Sequence, residues 1–90
     1  MSGEVERSLR LPVVLVPEGD GGFAAFAATL PGAASQGDTE AEALANIREA
    51  LEGVLESYRD LGKRPPWRDE AECPERSEPG ALTRWVEIHA

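Results

Sequence analysis

Acidic side chains are the most abundant reactive groups in this sequence of 90 residues, which has 17 Asp and Glu against 9 Lys and Arg. A two-metal nuclease site needs several carboxylates that converge on the ions. The first apolar segment, Leu9–Val16, contains no acid. Helical spacing places four glutamates on one solvent-exposed helix face: Glu42, Glu49, Glu52 and Glu56. Asp38 precedes the predicted helix, where its charge stabilises the helix dipole without any chemistry. The acids therefore predict no metal site.

The remaining candidates for chemistry are one histidine, His89, and one cysteine, Cys73. They do not form a ligand set with the spacing of a tetrahedral zinc site, and no base is positioned beside a nucleophile. The glycines of Gly19–Gly22 join two predicted strands, whereas a phosphate-binding loop joins a strand to a helix. We therefore expect a protein that is not an enzyme and binds no cofactor.

The net charge of -8 disfavours direct nucleic-acid binding, because that binding needs clustered Lys and Arg to displace counterions. It equally disfavours an anionic membrane surface. An acidic protein is suited to a basic protein partner, since complementary fields accelerate encounter and select partners. The alternative interpretation is that the charge only maintains solubility.

The single cysteine excludes an internal disulfide bond and fits a reducing compartment. The apolar runs are too short to span a bilayer, and no basic segment followed by an apolar one opens the chain as a signal peptide would. The sequence therefore predicts a cytoplasmic location.

Two strands are predicted in the first third of the chain. In Leu9–Val16, leucines and valines alternate between two faces, and Pro12 indicates an edge strand or irregular pairing because it lacks an N–H group. A glycine-rich turn leads to Phe23–Thr29, whose many alanines indicate that another element packs closely on the sheet. A short third strand, Ala33–Gln36, follows. Residues 1–7 are polar and predicted to fray.

A long amphipathic helix is predicted after the third strand. Thr39 is expected to be its N-cap, with Glu42 reaching back to complete a capping box, and Gly62 is expected to end it in a left-handed conformation. The apolar residues at helical spacing are Leu44, Ile47, Leu51, Val54, Leu55, Tyr58 and Leu61. The pattern indicates a helix that covers a sheet.

The sequence predicts one domain over residues 1–90, with a core at 9–62, a Pro- and charge-rich loop at 63–80 and a last strand at 81–89. The fold class is α+β in the order β-β-β-α-β, with a three-stranded antiparallel sheet covered by one long helix plus a C-terminal strand. That strand either returns parallel to the first by a right-handed crossover or is carried by the loop to a second subunit.

Partner contacts are predicted at Trp67 and Trp85, because tryptophan buries a large area and keeps one donor. The alternative is that both pack internally, with Trp67 folding back over the helix end. Acidic positions in the long loop are further candidates: Asp69, Glu70 and Glu72.

Short motifs from the first hairpin to the helix exit carry a family resemblance. They are Gly21-Gly22-Phe23, Leu30-Pro31-Gly32, Ser35-Gln36-Gly37-Asp38-Thr39, Glu42-Ala43-Leu44 with Asn46, Glu49-Ala50-Leu51, and Lys63-Arg64-Pro65-Pro66. Together they resemble the HicB-like antitoxin family over about Leu11 to Pro66. Two departures are Ala28, where members often have proline, and Ala33, where cysteine is frequent. The DNA-binding segment that many members append is not expected after Gly62.

The resemblance implies a degraded, partial ribonuclease-H-like fold without nuclease activity. It also implies a HicA-like toxin as partner: a small basic protein that cleaves mRNA with a histidine and is neutralised when its active surface is covered. A homodimer or tetramer is expected. The alternative function is that of an orphan homo-oligomeric HicB-like protein without a toxin. A third, an active nuclease, requires the tertiary structure to gather carboxylates that the sequence order does not suggest.

Overall fold

The computed structural model of the protein describes residues 8–89 and shows an antiparallel sheet of four strands covered by one helix. The elements are β1 (Ser8–Pro17), β2 (Phe23–Ala27), β3 (Ala34–Gly37), α1 (Glu40–Asp60) and β4 (Leu82–His89). The predicted α+β class is confirmed, and the strand and helix bounds differ from the predicted ones by one or two residues. The predicted fraying of residues 1–7 lies outside the described residues.

The main core lies between α1 and the inner face of the sheet. Alternation places Val13 and Leu15 of β1 on this face, where Ile47 and Leu51 of α1 cover them. All four side chains are fully buried. Burial of each such side chain stabilises the fold by about 1.5–3 kcal/mol. The alanines of β2 complete the contact, as predicted, because their small side chains let the helix approach closely.

The ends of α1 are set by local chemistry. The Thr39 hydroxyl accepts the Glu42 N–H at 3.1 Å, as predicted. The second hydrogen bond of the predicted capping box differs from the prediction. The Glu42 carboxylate oxygen Oε1 accepts the backbone N–H of Asp38 at 2.8 Å, not the N–H of the N-cap residue Thr39. At the other end, Gly62 has φ +68°, and two backbone bonds close a Schellman turn. This turn carries Leu61 beyond the last helical residue, so it is 68% exposed and the prediction that it joins the apolar face is wrong.

Gly37 permits the tight connection between β3 and α1. A Cβ atom there would lie 2.4 Å from the backbone nitrogen of Ala43, in the first turn of the helix. No side chain fits at this distance, so only glycine allows the helix to start against the end of β3.

Strand β4 pairs with β1 in antiparallel orientation, giving the strand order β3-β2-β1-β4. The predicted parallel return is therefore wrong, and the strand pairs within its own chain rather than with a second subunit. The reason lies in the loop at 63–80. The helix returns the chain to the start of β1, and the loop then recrosses the sheet until Gly80 lies beside Pro17, at the other end of β1. From there only an antiparallel strand can pair along β1.

The loop at 63–80 is more ordered than predicted, since it contains two short 3₁₀ helices, Glu70–Glu72 and Pro74–Ser77. It covers the outer face of the sheet, where Cys73 packs on Val14 and Ala28 in a second, small core. The backbone N–H of Arg68 donates to Thr29 O, and its guanidinium Nε donates to Ala28 O, both at 2.9 Å. The helix therefore covers one face of the sheet, and the loop covers part of the other.

Pro12 marks the point where the pairing of β1 with β2 ends. The last paired residues are Val13 and Ala27, and beyond them the Ala28 N–H donates to Pro12 O at 3.0 Å. The return bond is absent because proline has no N–H. The predicted irregular pairing is confirmed, whereas the predicted edge position is wrong because β1 lies between β2 and β4.

Candidate functional site

In the part of the chain that the structure describes, the carboxylates do not converge as a two-metal nuclease requires. Among residues 8–89, no group of three or more Asp, Glu, His and Cys side chains could hold a metal ion. Several acids instead have structural partners. Glu42 caps the helix, Glu40 pairs with Arg84 of β4 at 2.7 Å, and Glu52 accepts the backbone N–H of His89 at 3.3 Å. These contacts attach α1 to β3 and β4.

Cys73 is a buried thiol in the second core. Burial raises its pKa, and the hydrogen bond from Cys73 Sγ to Glu75 Oε1, 3.4 Å long, raises it further. Because the thiolate is the nucleophilic form, both effects make Cys73 a poor nucleophile. Its role in the described structure is packing.

The residues of the family motifs lie where the chain turns. Leu30 is fully buried beneath the turn at Pro31 and Gly32, and Gly32 has φ +91°. A Cβ at Gly22 would lie 3.0 Å from Gly37 O. The other motif residues lie at the start of α1. Asp38 is exposed, Thr39 is the N-cap and bonds the Glu42 N–H, Ala43 is buried and Leu44 is half-buried. These positions account for the motifs by turn geometry and packing.

Trp67 lines a groove of about 370 Å³ beside the C-terminal half of α1. This groove, called the Trp67 groove below, is lined by apolar, aromatic and charged residues alike: Leu9, Glu52, Leu55, Glu56, Tyr58, Arg59, Lys63, Pro65, Trp67 and His89. The indole does fold back toward the helix end. It nevertheless stays 46% exposed, so the alternative that both tryptophans pack internally is wrong.

The loop next to Trp67 concentrates negative charge. The acidic segment, residues 69–78, holds five acids and one arginine, a net charge of -4 out of the -8 of the chain. Asp69 and Glu72 fix its first turn through a capping box. Arg68 anchors the segment to β2, and its neighbours Trp67 and Asp69 are exposed. The exposed Trp67 and the fixed acidic turn therefore follow each other directly along the chain.

Trp85 lies on a different surface from the Trp67 groove. It lies on β4, is 52% exposed, and stacks with the Arg10 guanidinium at 5.7 Å from the ring centroid. Residues beside it and on α1, including Ala41, Leu44 and Ala45, form a second groove of about 320 Å³. The sequence singled out both tryptophans, and the structure assigns them to separate surfaces. The sequence could not reveal the two grooves, because their positions depend on where the helix crosses the sheet.

No protein-family model matches the chain, and no helix among residues 8–89 is long and apolar enough to cross a membrane. A UPF0150 protein of Thermoplasma acidophilum is 36% identical over 64 residues, which cover 71% of this chain and 91% of the relative. A UPF0150 protein of Synechocystis is 53% identical over 45 residues, 50% of this chain and 57% of the relative.

Two solved structures share the fold. The N-terminal domain of the Burkholderia pseudomallei antitoxin HicB superposes with a TM-score of 0.67 at 23% identity, covering 87% of this chain and 95% of that one. A chain of a HicA3 and HicB3 toxin–antitoxin complex superposes with a TM-score of 0.68 at 24% identity, covering 89% and 98%. The resemblance seen in the sequence motifs is thus confirmed in three dimensions. The chain belongs to the UPF0150 family, and its fold is that of the HicB antitoxins.

Proposed function

We propose that this protein is a HicB-type antitoxin, which binds a small basic mRNA-cleaving toxin and covers its active surface in the cytoplasm. The observation that carries the proposal is the fold, which matches a chain of a HicA3 and HicB3 complex over 98% of that chain. The charge of -8 supports it, because a basic partner is attracted over the whole encounter path.

The contact surface in this proposal combines the Trp67 groove with the acidic segment. Trp67 is the anchor, since an exposed indole in an apolar groove loses much hydrated surface on binding. Asp69, Glu70 and Glu72 attract the basic side chains with which the toxin holds RNA. Because the capping box and Arg68 fix the segment before binding, little conformational entropy is lost on association.

The test uses the small basic protein encoded by the reading frame beside this one. The purified toxin is given a labelled RNA, and cleavage is measured with increasing amounts of the full chain. We expect cleavage to stop at a stoichiometric ratio. If no such frame exists, or if the toxin cleaves RNA unchanged while bound, the antitoxin role is wrong and the orphan function replaces it.

Two variants test the surface. Trp67→Ala should weaken toxin binding by about 2 kcal/mol, which is about 30-fold in Kd. Glu70→Lys should weaken binding at low salt and less at high salt, since screening reduces exposed charge pairs. Glu49→Lys is the matched control, because it makes the same charge change on the exposed face of α1. Equal effects of the two lysine variants would refute the acidic segment as the contact.

A further inference from the structure

A groove on the outer face of the sheet lies beside the loop at 63–80. Ala25 and Ala27 of β2 point into the main core, so alternation places Phe26 on the outer face. Phe26 lines a groove of about 520 Å³ between the β1–β2 hairpin and the loop, called the outer groove below. Its apolar lining includes Val16, Phe26 and Pro74, and its acidic lining is Glu18, Glu75 and Glu78.

The outer groove continues along β2. A smaller hollow of about 270 Å³ shares Phe26 and Pro74 with it and reaches Gly32. The five residues of β2 span about 16 Å, at about 3.3 Å for each residue. Ala34 of β3 lies opposite Phe26 and is exposed, so the groove is open on the side of β3. This elongated, open shape suits an extended peptide segment, whereas small-molecule sites enclose most of the ligand surface.

The charged residues of the outer groove have one sign. Among residues 8–89, three glutamates and no Lys, Arg or His line it. The Trp67 groove differs, because it is lined by as many Lys and Arg as Glu residues. A neighbouring groove at the β1–β2 turn shares Glu18 and, within the same described range, adds three more acids and no base: Asp20, Asp38 and Glu42. Negative charge is therefore concentrated at this end of the sheet.

The carboxylates of the outer groove are available to a ligand. Glu18 and Glu78 are exposed, and their hydrogen bonds are made by their backbone groups. One oxygen of the half-buried Glu75 accepts from the Cys73 thiol, which holds this carboxylate in place. In the described part of the chain, none of the three glutamates has a Lys or Arg within salt-bridge distance. A cation that enters the groove thus has no internal competitor.

We infer that the outer groove binds an extended, arginine-containing segment of another protein. The aliphatic stem of an arginine packs on apolar lining such as Phe26 and Pro74, while its guanidinium pairs with a glutamate. Arginine fits better than lysine, because its planar guanidinium forms paired hydrogen bonds to a carboxylate and stacks on an aromatic ring. The inference concerns this groove and is independent of the toxin contact proposed at Trp67.

Arg68 determines which end of the segment carries the positive charge. It lines the smaller hollow near Gly32, and its guanidinium Nε donates to Ala28 O at 2.9 Å. A second arginine at that end would meet a like charge, which is unfavourable. The basic residues of the bound segment therefore lie toward Glu18, and its uncharged residues lie toward Gly32.

The test uses a fluorescent peptide with the sequence Arg-Leu-Arg-Leu and blocked ends. A matched peptide carries citrulline, an uncharged residue of nearly the same shape, in place of both arginines. Fluorescence anisotropy measures the binding of each peptide to the full chain at low ionic strength. We expect the arginine peptide to bind about fivefold more tightly and to be released as salt is added. Equal binding of the two peptides, or no binding of either, overturns the inference.

A double variant, Glu18→Gln with Glu78→Gln, tests the site. Both side chains are exposed, so the variant should be folded by circular dichroism and should bind the arginine peptide about fivefold more weakly, about 1 kcal/mol. Glu49→Gln with Asp60→Asn is the matched control, because it makes the same charge change at exposed positions of α1. Equal weakening in both double variants would show that only the net charge attracts the peptide, and would overturn the inference.

Nuclear magnetic resonance separates the outer groove from the Trp67 groove. On addition of the arginine peptide, backbone amide shifts should change at Gly19, Ala24, Phe26 and Glu75, and the indole N–H signal of Trp67 should stay in place. Movement of the Trp67 signal alone would assign the peptide to the other groove and refute the inference.

Other occupants of the outer groove give different results. Tighter binding of spermidine than of the peptide, lost in the Glu18 and Glu78 double variant, would make the groove a site for small cations. Self-association in sedimentation velocity that the same variant abolishes would assign it to a second copy. Either result overturns the inference. The antitoxin role is tested separately, by RNA cleavage and by Trp67→Ala, so the two can fail independently.

Discussion

Gly37 is the position where the structure makes the sharpest quantitative prediction. In Gly37→Ala, the new Cβ lies 2.4 Å from Ala43 N, about 1 Å short of the 3.4 Å at which ordinary contact begins. The two next atoms, at 2.8 and 2.9 Å, also belong to the backbone of the first helical turn. Because no flexible side chain can move aside, the helix itself has to shift.

The expected loss of stability follows from two opposing effects. Overpacking of a close contact costs about 1–3 kcal/mol. Alanine also reduces the entropy of the unfolded chain, which returns about 0.4–1 kcal/mol. The net destabilisation is about 1–2 kcal/mol, and each kcal/mol lowers Tm by about 4–8 °C in a chain of this size.

Urea unfolding followed by far-UV circular dichroism measures this change through the transition midpoint. Gly53→Ala is the matched control, because the same chemical change in the middle of α1 places a Cβ where no atom lies within 4 Å. That variant should gain about 0.8–1 kcal/mol, since glycine is unfavourable in a helix interior. If Gly37→Ala were as stable as the wild type, the close contact between β3 and α1 would be refuted.

Three further predictions concern the cap, the loop and the thiol. Thr39→Ala removes the side chain that accepts the Glu42 N–H, and should lower the free energy of unfolding by about 1 kcal/mol. Arg68→Ala removes the guanidinium bond to Ala28, so limited proteolysis should cut the loop at 63–80 faster while α1 stays protected. Unchanged cleavage would show that the guanidinium bond is not needed and that the backbone bond to Thr29 and the packing of Cys73 hold the loop. The raised pKa of Cys73 contributes stability that is present below the ordinary thiol pKa of about 8.5 and lost as pH rises through the higher folded value. The urea concentration at the unfolding midpoint should therefore decrease as the pH rises through that range, and this decrease should be smaller in Cys73→Ala.

Features encoded by neighbouring residues were predictable from the sequence. The helix starts at its N-cap and ends at Gly62 because both signals act within a few residues. The inner face of β1 followed from alternation. The hydrogen bond of the Glu42 carboxylate was predicted one residue away from its observed donor, Asp38 N–H, because the donor depends on how the chain leaves β3.

Features that depend on distant contacts were not predictable in the same way. The direction of β4 is decided by the path of the loop at 63–80, and that path depends on Cys73 packing against Val14, far away in the sequence. One signal was available, since Asp69 and Glu72 have the spacing of a capping box and indicate local order in the loop. For the candidate site, residue type identified Trp67 and Trp85 as anchors. Their separation into two surfaces required the crossing of α1 over the sheet.

The segment that covers the outer face of the sheet comes late in the chain, and this order has a consequence during protein synthesis. Residues 61–89 supply both the loop over Val14 and the strand that pairs with β1. At about 5–20 residues per second they emerge some 1.5–6 s after the helix is complete. During that interval the apolar β1 has a bare face and an unpaired edge, which are the features that promote aggregation of nascent chains. Arg10 and Pro12 interrupt the apolar run of β1, and residues of this kind act as gatekeepers against aggregation during translation. In the folded protein, Arg10 stacks on Trp85 and Pro12 ends the pairing of β1 with β2.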